Sequence, residues 1–255
     1  MVVALVGMKE CGKTTLLARL HQLFLSRPLA GFDFAGCRSL PRFEELNWLA
    51  TVESGAAQPK MLRTSSQFDN SFIHIAVRPN NGGPRVDLLL NDISGETFNA
   101  AVAAQSTCDT LLALARADHL VTLVDGAALA DPARRHLHVS QVADFLQRVT
   151  QSGQCGAQTA LHLVVSKLDE LKGNLGPASA MEADVAARFA NQFGSITCWR
   201  VAARPMDGSL PTFEPIGKLF AAWVQKTHRY PRPVLATPPR HIWHRDFCRF
   251  GTSEI

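Results

Sequence analysis

Two glycines, a lysine and a threonine in Gly7-Met8-Lys9-Glu10-Cys11-Gly12-Lys13-Thr14 stand at the spacing of a loop that wraps a polyphosphate. Glycine lets such a loop curl so that successive N–H groups point inward, and a helix beginning at its end adds a positive N-terminus. Main-chain donors from Gly7 to Thr15, those of Glu10, Cys11 and Gly12 included, would then surround the phosphates. Lys13 would reach the outer phosphates, and the Thr14 hydroxyl would ligate Mg²⁺. The flanks agree: a β-prone run, Val2 to Val6, precedes the loop, and Leu16, Leu20, Leu23 and Phe24 follow at helical spacing.

A phosphate loop alone does not choose a base or a reaction, so the ends of the later β-prone runs carry the next inference. Asp92-Ile93-Ser94-Gly95-Glu96 closes the apolar run Val86 to Asn91. There a carboxylate can hold Mg²⁺, usually through water, and the Gly95 N–H can meet a γ-phosphate. Ser166-Lys167-Leu168-Asp169 closes the run Leu161 to Val165. The Asp169 carboxylate can accept two hydrogen bonds from the N1 and N2 donors of guanine, which adenine lacks, while the Lys167 stem lies along the base. A site built on such paired bonds rejects an analogue that leaves its polar groups unsatisfied.

These residues need a scaffold that brings strand ends to one rim. Runs at Val2 to Val6, Phe72 to Val77, Val86 to Asn91, His119 to Val124, Leu161 to Val165 and Ile196 to Val201 read as strands. Helical spacing recurs at Val139, Val142, Leu146 and Val149, at Val185, Phe189 and Phe193, and at Ile216, Leu219, Phe220 and Trp223. Arg78 to Arg85, with its Asn81-Gly82 step, reads as the reversal of an antiparallel hairpin. The economical architecture is a doubly wound α/β sheet, mostly parallel with one antiparallel edge strand, with the phosphate loop (P-loop) at the end of its first strand. Ser26-Arg27-Pro28 stops the first helix, and from there to about Ser71 only a short helix through Phe43, Leu46 and Leu49 is expected.

A chain of 255 residues that is 46% hydrophobic is expected to form one domain, here 1–226, followed by a tail, 227–255. No apolar run approaches the roughly 20 residues that span a bilayer, and Met1 abuts the first strand, so a cytoplasmic protein without a signal peptide is expected. Six scattered cysteines without a CxxC fit reduced thiols; Cys11, inside the loop, is a candidate for oxidation. From Lys226 onward six basic residues face Asp246 and Glu254, so the stretch that begins at Lys226 carries the whole net charge of +4. The neutral body argues against a nucleic-acid partner. Four prolines, then His241 to Phe250, give the tail an extended, basic-aromatic character suited to docking.

The order of GxxxxGKT, a long segment ending in Thr64, DxxGE and SKxD resembles the translation-factor-related and Ras-like (TRAFAC) GTPases. More narrowly, Gly31 to Leu40, the Pro59 to Thr64 stretch, Asp92 to Phe98 and Arg116-Ala117-Asp118-His119 resemble the bacterial double-GTPase families, most nearly the second type. The resemblance implies GTP and GDP as ligands, Mg²⁺ as cofactor and hydrolysis of GTP as the activity of a molecular switch whose long segment covers about 26–71. It implies Thr64 as the switch threonine meeting Mg²⁺ and the γ-phosphate. It places Val201-Ala202-Ala203-Arg204 where small GTPases carry Ser-Ala-Lys, so that a backbone N–H at Ala202 or Ala203 meets the guanine O6. It also implies a bacterial multi-component, defence-related setting, with a second GTPase or an activating protein as partner; homodimerisation stays open.

The catalytic set expected is Lys13, Thr64, Glu96 and Arg63. Glu96 stands where Ras-like enzymes often carry the glutamine that orients water, and its charge repels a γ-phosphate unless protonated or paired, so intrinsic hydrolysis is expected to be slow. Arg63 is a cis arginine-finger candidate beside a plain reading as a solvated loop residue. Ser166 replaces a commoner Asn or Thr, which predicts a weaker brace on the phosphate loop. Two rivals remain: a GTP-dependent interaction module that does not hydrolyse, and a P-loop ATPase or kinase.

Overall fold

The central strand, β1 (Val2–Val6), is apolar on both sides: Val3 and Leu5 enter one core and Ala4 and Val6 the other. A strand without a polar face must be covered twice, and helices pack on both sides of it. A computed structural model describes residues 1–48, 71–205 and 210–225. It shows β1 followed by α1 (Lys13–Ser26), β2 (Phe32–Gly36), α2 (Leu40–Trp48), β3 (Ile73–Pro79), β4 (Val86–Asp92), α3 (Gly95–Ala103), α4 (Gln105–Thr110) and α5 (Leu112–Ala115). Then come β5 (His119–Asp125), α6 (Gly126–Ala130), α7 (Pro132–Gln151), β6 (Ala160–Ser166), a 3₁₀ turn at Leu168–Leu171, α8 (Gly176–Phe189), β7 (Ser195–Arg200) and α9 (Phe213–Val224).

The seven strands lie in the order β2-β3-β4-β1-β5-β6-β7. β4, β1, β5, β6 and β7 pair in parallel, whereas β3 runs against both of its neighbours. The doubly wound, mostly parallel fold is therefore as the sequence reading has it. The antiparallel strand sits one place in from the edge, because β2 adds outside it. Phe32-Asp33-Phe34-Ala35-Gly36 is short, half-exposed and interrupted by a register shift between Phe34 and Gly36, so its alternation of Phe32 and Phe34 is a faint signal. Packing supplies what the pattern lacks: Phe34 lies against Phe24 of α1, and Phe32 meets Phe220 of α9 edge-on at 6.1 Å.

Two helix boundaries follow from local chemistry. α1 ends at Ser26, where Arg27 N–H donates to the Leu23 carbonyl and Pro28 ahead has no N–H to continue the ladder. α7 begins with Asp131 accepting from Ala133 N–H and with Pro132 at its first position, so two of its orphan donors are capped or absent. One core, with α3, α7 and α8, holds Phe98, Phe145, Leu146 and Phe189; the other, with α1 and α9, holds Leu16, Leu20, Phe220 and Trp223. Consecutive residues of β1 and β5 alternate between these cores, and the parallel pairing of β4, β1, β5, β6 and β7 brings the carboxyl ends of these five strands to one rim. Among the described residues no helix is long and apolar enough to cross a membrane.

Candidate nucleotide-binding site

The loop between β1 and α1 is shaped by two glycines with positive φ, Gly7 at 149° and Gly12 at 90°. A Cβ at Gly7 would stand 2.7 Å from both Cys11 Sγ and the Leu123 carbonyl, so no other residue fits the first position. Glu10 also takes a left-handed conformation, φ 66°, which completes the turn. Lys13 is nearly buried, and its ammonium donates to the Gly7 carbonyl at 2.7 Å and the Met8 carbonyl at 3.0 Å. Those bonds fold the side chain back over the loop.

Thr14 and Asp92 come together on the β4 side. Asp92 pairs with Leu5 across β4 and β1, and the Thr14 hydroxyl donates to Asp92 Oδ2 at 2.8 Å. Gly95 opens α3 directly against the loop: a Cβ there would overlap the backbone of Met8 and Lys9, so only glycine permits the approach. Ser94 caps α3 by accepting from Thr97 N–H at 3.1 Å, which leaves Glu96 as an exposed acid in the first turn.

On the other side β6 delivers the base-reading residues. The Ser166 hydroxyl is 2.6 Å from the Cys11 carbonyl and 3.1 Å from that of Val124, and can donate to either. The brace on the phosphate loop is therefore present and short in spite of the small side chain. Lys167 takes a left-handed backbone, φ 48° and ψ 48°, and Leu168 N–H donates to the Val201 carbonyl at 3.3 Å, which ties the Ser166 to Asp169 turn to the end of β7. A cavity of about 290 Å³ is lined by Glu10, Gly12 and Thr15 on the phosphate side and by Lys167, Asp169 and Ala203 on the other, with Leu16, Leu123 and Val201 as apolar wall. The phosphate loop and the SKxD turn thus face one space, though 152 positions separate Lys167 from Thr15 in the chain. Ala203 lines it, while Ala202 is buried behind.

A family model, Double-GTPase 2, matches residues 1–224. The chain belongs to the Double-GTPase 2 family. Among solved structures this family member is similar to the signal recognition particle receptor SRb-GTP/SRX complex from Chaetomium thermophilum, at 16% identity over 87% of this chain and 98% of that one, TM-score 0.48. It is also similar to the S. cerevisiae Ski7 GTPase-like domain bound to GTP, at 14% identity over 91% and 51%, TM-score 0.45. A GTP-binding protein from Sulfolobus solfataricus in complex with GDP matches at 15% over 79% and 46%, TM-score 0.41. The chain spans about half the length of the latter two. No curated protein sequence matches it.

Two expected participants, Arg63 and Thr64, lie outside the described residues, as do most of the 49–71 part of the expected switch segment and the tail 227–255. Cys11 is fully buried, and burial, only partly offset by the Lys13 charge, pushes its thiol pKa up. It stays a thiol rather than the thiolate that oxidants attack, so the expectation of an oxidisable loop cysteine finds no support. Sequence reasoning also passed over Asp125, at the end of β5, whose Oδ2 lies 3.1 Å from Lys167 Nζ. The signal was available: Asp125-Gly126 closes an apolar strand as Asp92 does.

Proposed function

We propose that this double-GTPase binds GTP, requires Mg²⁺, and hydrolyses GTP slowly to GDP as a molecular switch. The observation that carries the reading is the shared cavity, because it sets Asp169, Lys167 and Ala203 beside Gly12 and Thr15 of the phosphate loop. A guanine held there would meet the Asp169 carboxylate with its N1 and N2 donors and the Ala203 N–H with its O6, while the phosphates extend toward Lys13. The donor set for the metal also fits: one hydroxyl and one carboxylate, Thr14 and Asp92, 2.8 Å apart, are hard oxygen ligands of the kind Mg²⁺ takes alongside phosphate and water. When bound, the ion would neutralise charge on the outer phosphate oxygens.

Within the chain, Lys13 places a cation at the outer phosphates and Gly95 offers its N–H to the γ-phosphate. Glu96, one residue on, is exposed to solvent and so within reach of water. A carboxylate there orients water at the cost of repelling the phosphate, which is the basis for slow turnover. Thr64 and Arg63 complete the reading as γ-phosphate sensor and cis arginine, and Arg63→Ala reports on the latter by leaving partner-stimulated turnover intact or not. The proposed setting is a bacterial, defence-related multi-component system with a second GTPase or an activating protein as partner.

The test is competition of GTP, GDP, ATP and XTP for a labelled GDP analogue, repeated with Asp169→Asn. Guanine selectivity in the wild type that moves to xanthine in the variant supports the reading. Equal competition by ATP would leave only an unselective phosphate binder, and phosphate release at background despite tight GTP binding would leave a module that does not hydrolyse.

A further inference from the structure

The Asp125 carboxylate is buried, and both of its oxygens and the backbone N–H have partners. Oδ2 accepts from Lys167 Nζ at 3.1 Å, Oδ1 accepts from Ala127 N–H at 3.0 Å and so caps α6, and the backbone N–H donates to His138 Nε2 at 2.9 Å. His138 itself is buried on α7, and burial lowers its pKa, so the ring stays neutral and able to accept. The next residue is also shaped for this contact. A Cβ on Gly126 would stand 2.5 Å from the Ser166 carbonyl and 2.6 Å from that of Lys167, so the glycine lets α6 pass directly against the SKxD turn.

These bonds converge on Lys167, a non-glycine residue in the left-handed region. A lysine stem has four rotatable carbons and loses much rotamer freedom when it must lie flat against a ligand. Here its far end is anchored by the carboxylate of a residue that is itself fixed at two other points, the Ala127 N–H and the His138 ring. The stem is therefore drawn along the cavity wall before any ligand arrives, which lowers the ordering cost at binding.

We infer that Asp125 is a positioning residue for guanine recognition: it acts through Lys167, holding that stem as one wall of the base pocket, with Gly126 and His138 fixing Asp125 in turn. The inference rests on the guanine reading proposed above and assigns a role to the end of β5 that the SKxD turn alone does not contain.

The test measures GDP affinity of the full chain by titration calorimetry for wild type, Asp125→Asn, Lys167→Met and the double variant, with a thermal midpoint for each without nucleotide. Asn keeps a good helix cap, and Met keeps the apolar stem while removing the ammonium. Asp125→Asn is expected to weaken GDP about tenfold with an unchanged midpoint, an estimate in line with the strength of charge-assisted bonds. In the Lys167→Met background the same change is expected to have no further effect. Additive losses in the double variant, or unchanged GDP affinity in Asp125→Asn, would overturn the inference. A lowered midpoint that tracks the affinity loss would assign Asp125 a purely structural role, which overturns it as well. Failure of the guanine reading looks different, because the wild type itself would then show no preference for GDP over ADP.

Discussion

On the β5 to β7 side of the phosphate loop, the groups expected to read the base are locked by side chains before any ligand is considered. The Ser166 hydroxyl lies against the Cys11 carbonyl, Asp125 holds Lys167, and Leu168 is bonded to Val201. On the β4 side, where a γ-phosphate would be sensed, the described residues include the Thr14 to Asp92 contact, the Ser94 cap on α3 and the close approach of Gly95 to Met8 and Lys9. Interlocked polar contacts of the first kind give selectivity, because a wrong base leaves buried groups unpaired. Thr14 and Gly95 stand against the phosphate loop itself, the place where a change in the number of phosphates would be felt. Under the proposed function, this division puts recognition on one half of the rim and response on the other.

The comparison breaks most visibly at Asp169. If the base half is held as rigidly as its contacts imply, Asp169→Asn should reverse selectivity, lowering GDP affinity and raising XDP affinity by a combined factor on the order of 10⁴, as sites built on paired hydrogen bonds discriminate. Competition titrations with the two nucleotides read this directly. A loss of all nucleotide binding with no gain of XDP would show that Asp169 supports the turn rather than the base.

Acid should loosen the same strands from their other end. His119 on β5 and His162 on β6 are buried side by side, Nδ1 to Nε2 at 3.0 Å, and Trp199 donates to His162 Nδ1 at 3.0 Å. An indole only donates, so His162 must carry its proton on Nε2 and give it to His119 Nδ1, which leaves both rings neutral. Burial holds His119 down to about 4 and, with the charge of His119 as a lesser cause, His162 down to about 3. Both values lie below the unfolded 6.5, so the unfolded chain binds more protons than the folded one from about pH 6.5 down to those values. Folding stability is then insensitive to this pair above pH 6.5 and falls as pH drops through the window, by up to about 1.4 kcal/mol per ring for each pH unit. Thermal midpoints at pH 7.5, 6, 5 and 4 check it, and a flat profile would mean that the rings are open to water.

The γ-phosphate half is tested at Gly95. With Ala, the added methyl meets the backbone of Met8 and Lys9, and α3 must retreat from the loop. GTP affinity should fall by roughly 10²-fold, the scale of a lost preorganised donor, while GDP affinity changes little. Equal losses for both nucleotides would indicate damage to the phosphate loop as a whole.

This asymmetry also explains what could be read in the sequence. Gly7, Lys13 and Thr14, and the Asp92 and Asp169 strand ends, are legible because local backbone geometry and donor chemistry demand those residue types at those spacings. β2 is not, because its stability comes largely from Phe220 and from pairing with β3, which lie far away in the chain, together with Phe24 on a different element. His138 has the same character: its neighbours on α7 show only helical periodicity, and the partner that gives it meaning, the Asp125 N–H, belongs to another element. Asp125 itself was visible as a strand-end carboxylate, yet its role depends on Lys167, 42 positions away in the chain.

The smallest expected effect concerns Glu96, the point where the response half meets chemistry. Ser94 caps α3, so Glu96 is not required as the cap, and its residual structural contribution is the attraction of an exposed acid for the helix N-terminus, about 0.3–1 kcal/mol. Against that stands the repulsion between its charge and the γ-phosphate. Glu96→Gln keeps the shape and the ability to orient water while removing the charge, so single-turnover GTP hydrolysis should rise by less than about tenfold, with the thermal midpoint nearly unchanged. A fall in rate would instead make the carboxylate the base that accepts the water proton. In that case the γ-phosphate half carries a catalytic group of its own, and the contrast between the two sides of the rim narrows to the base alone.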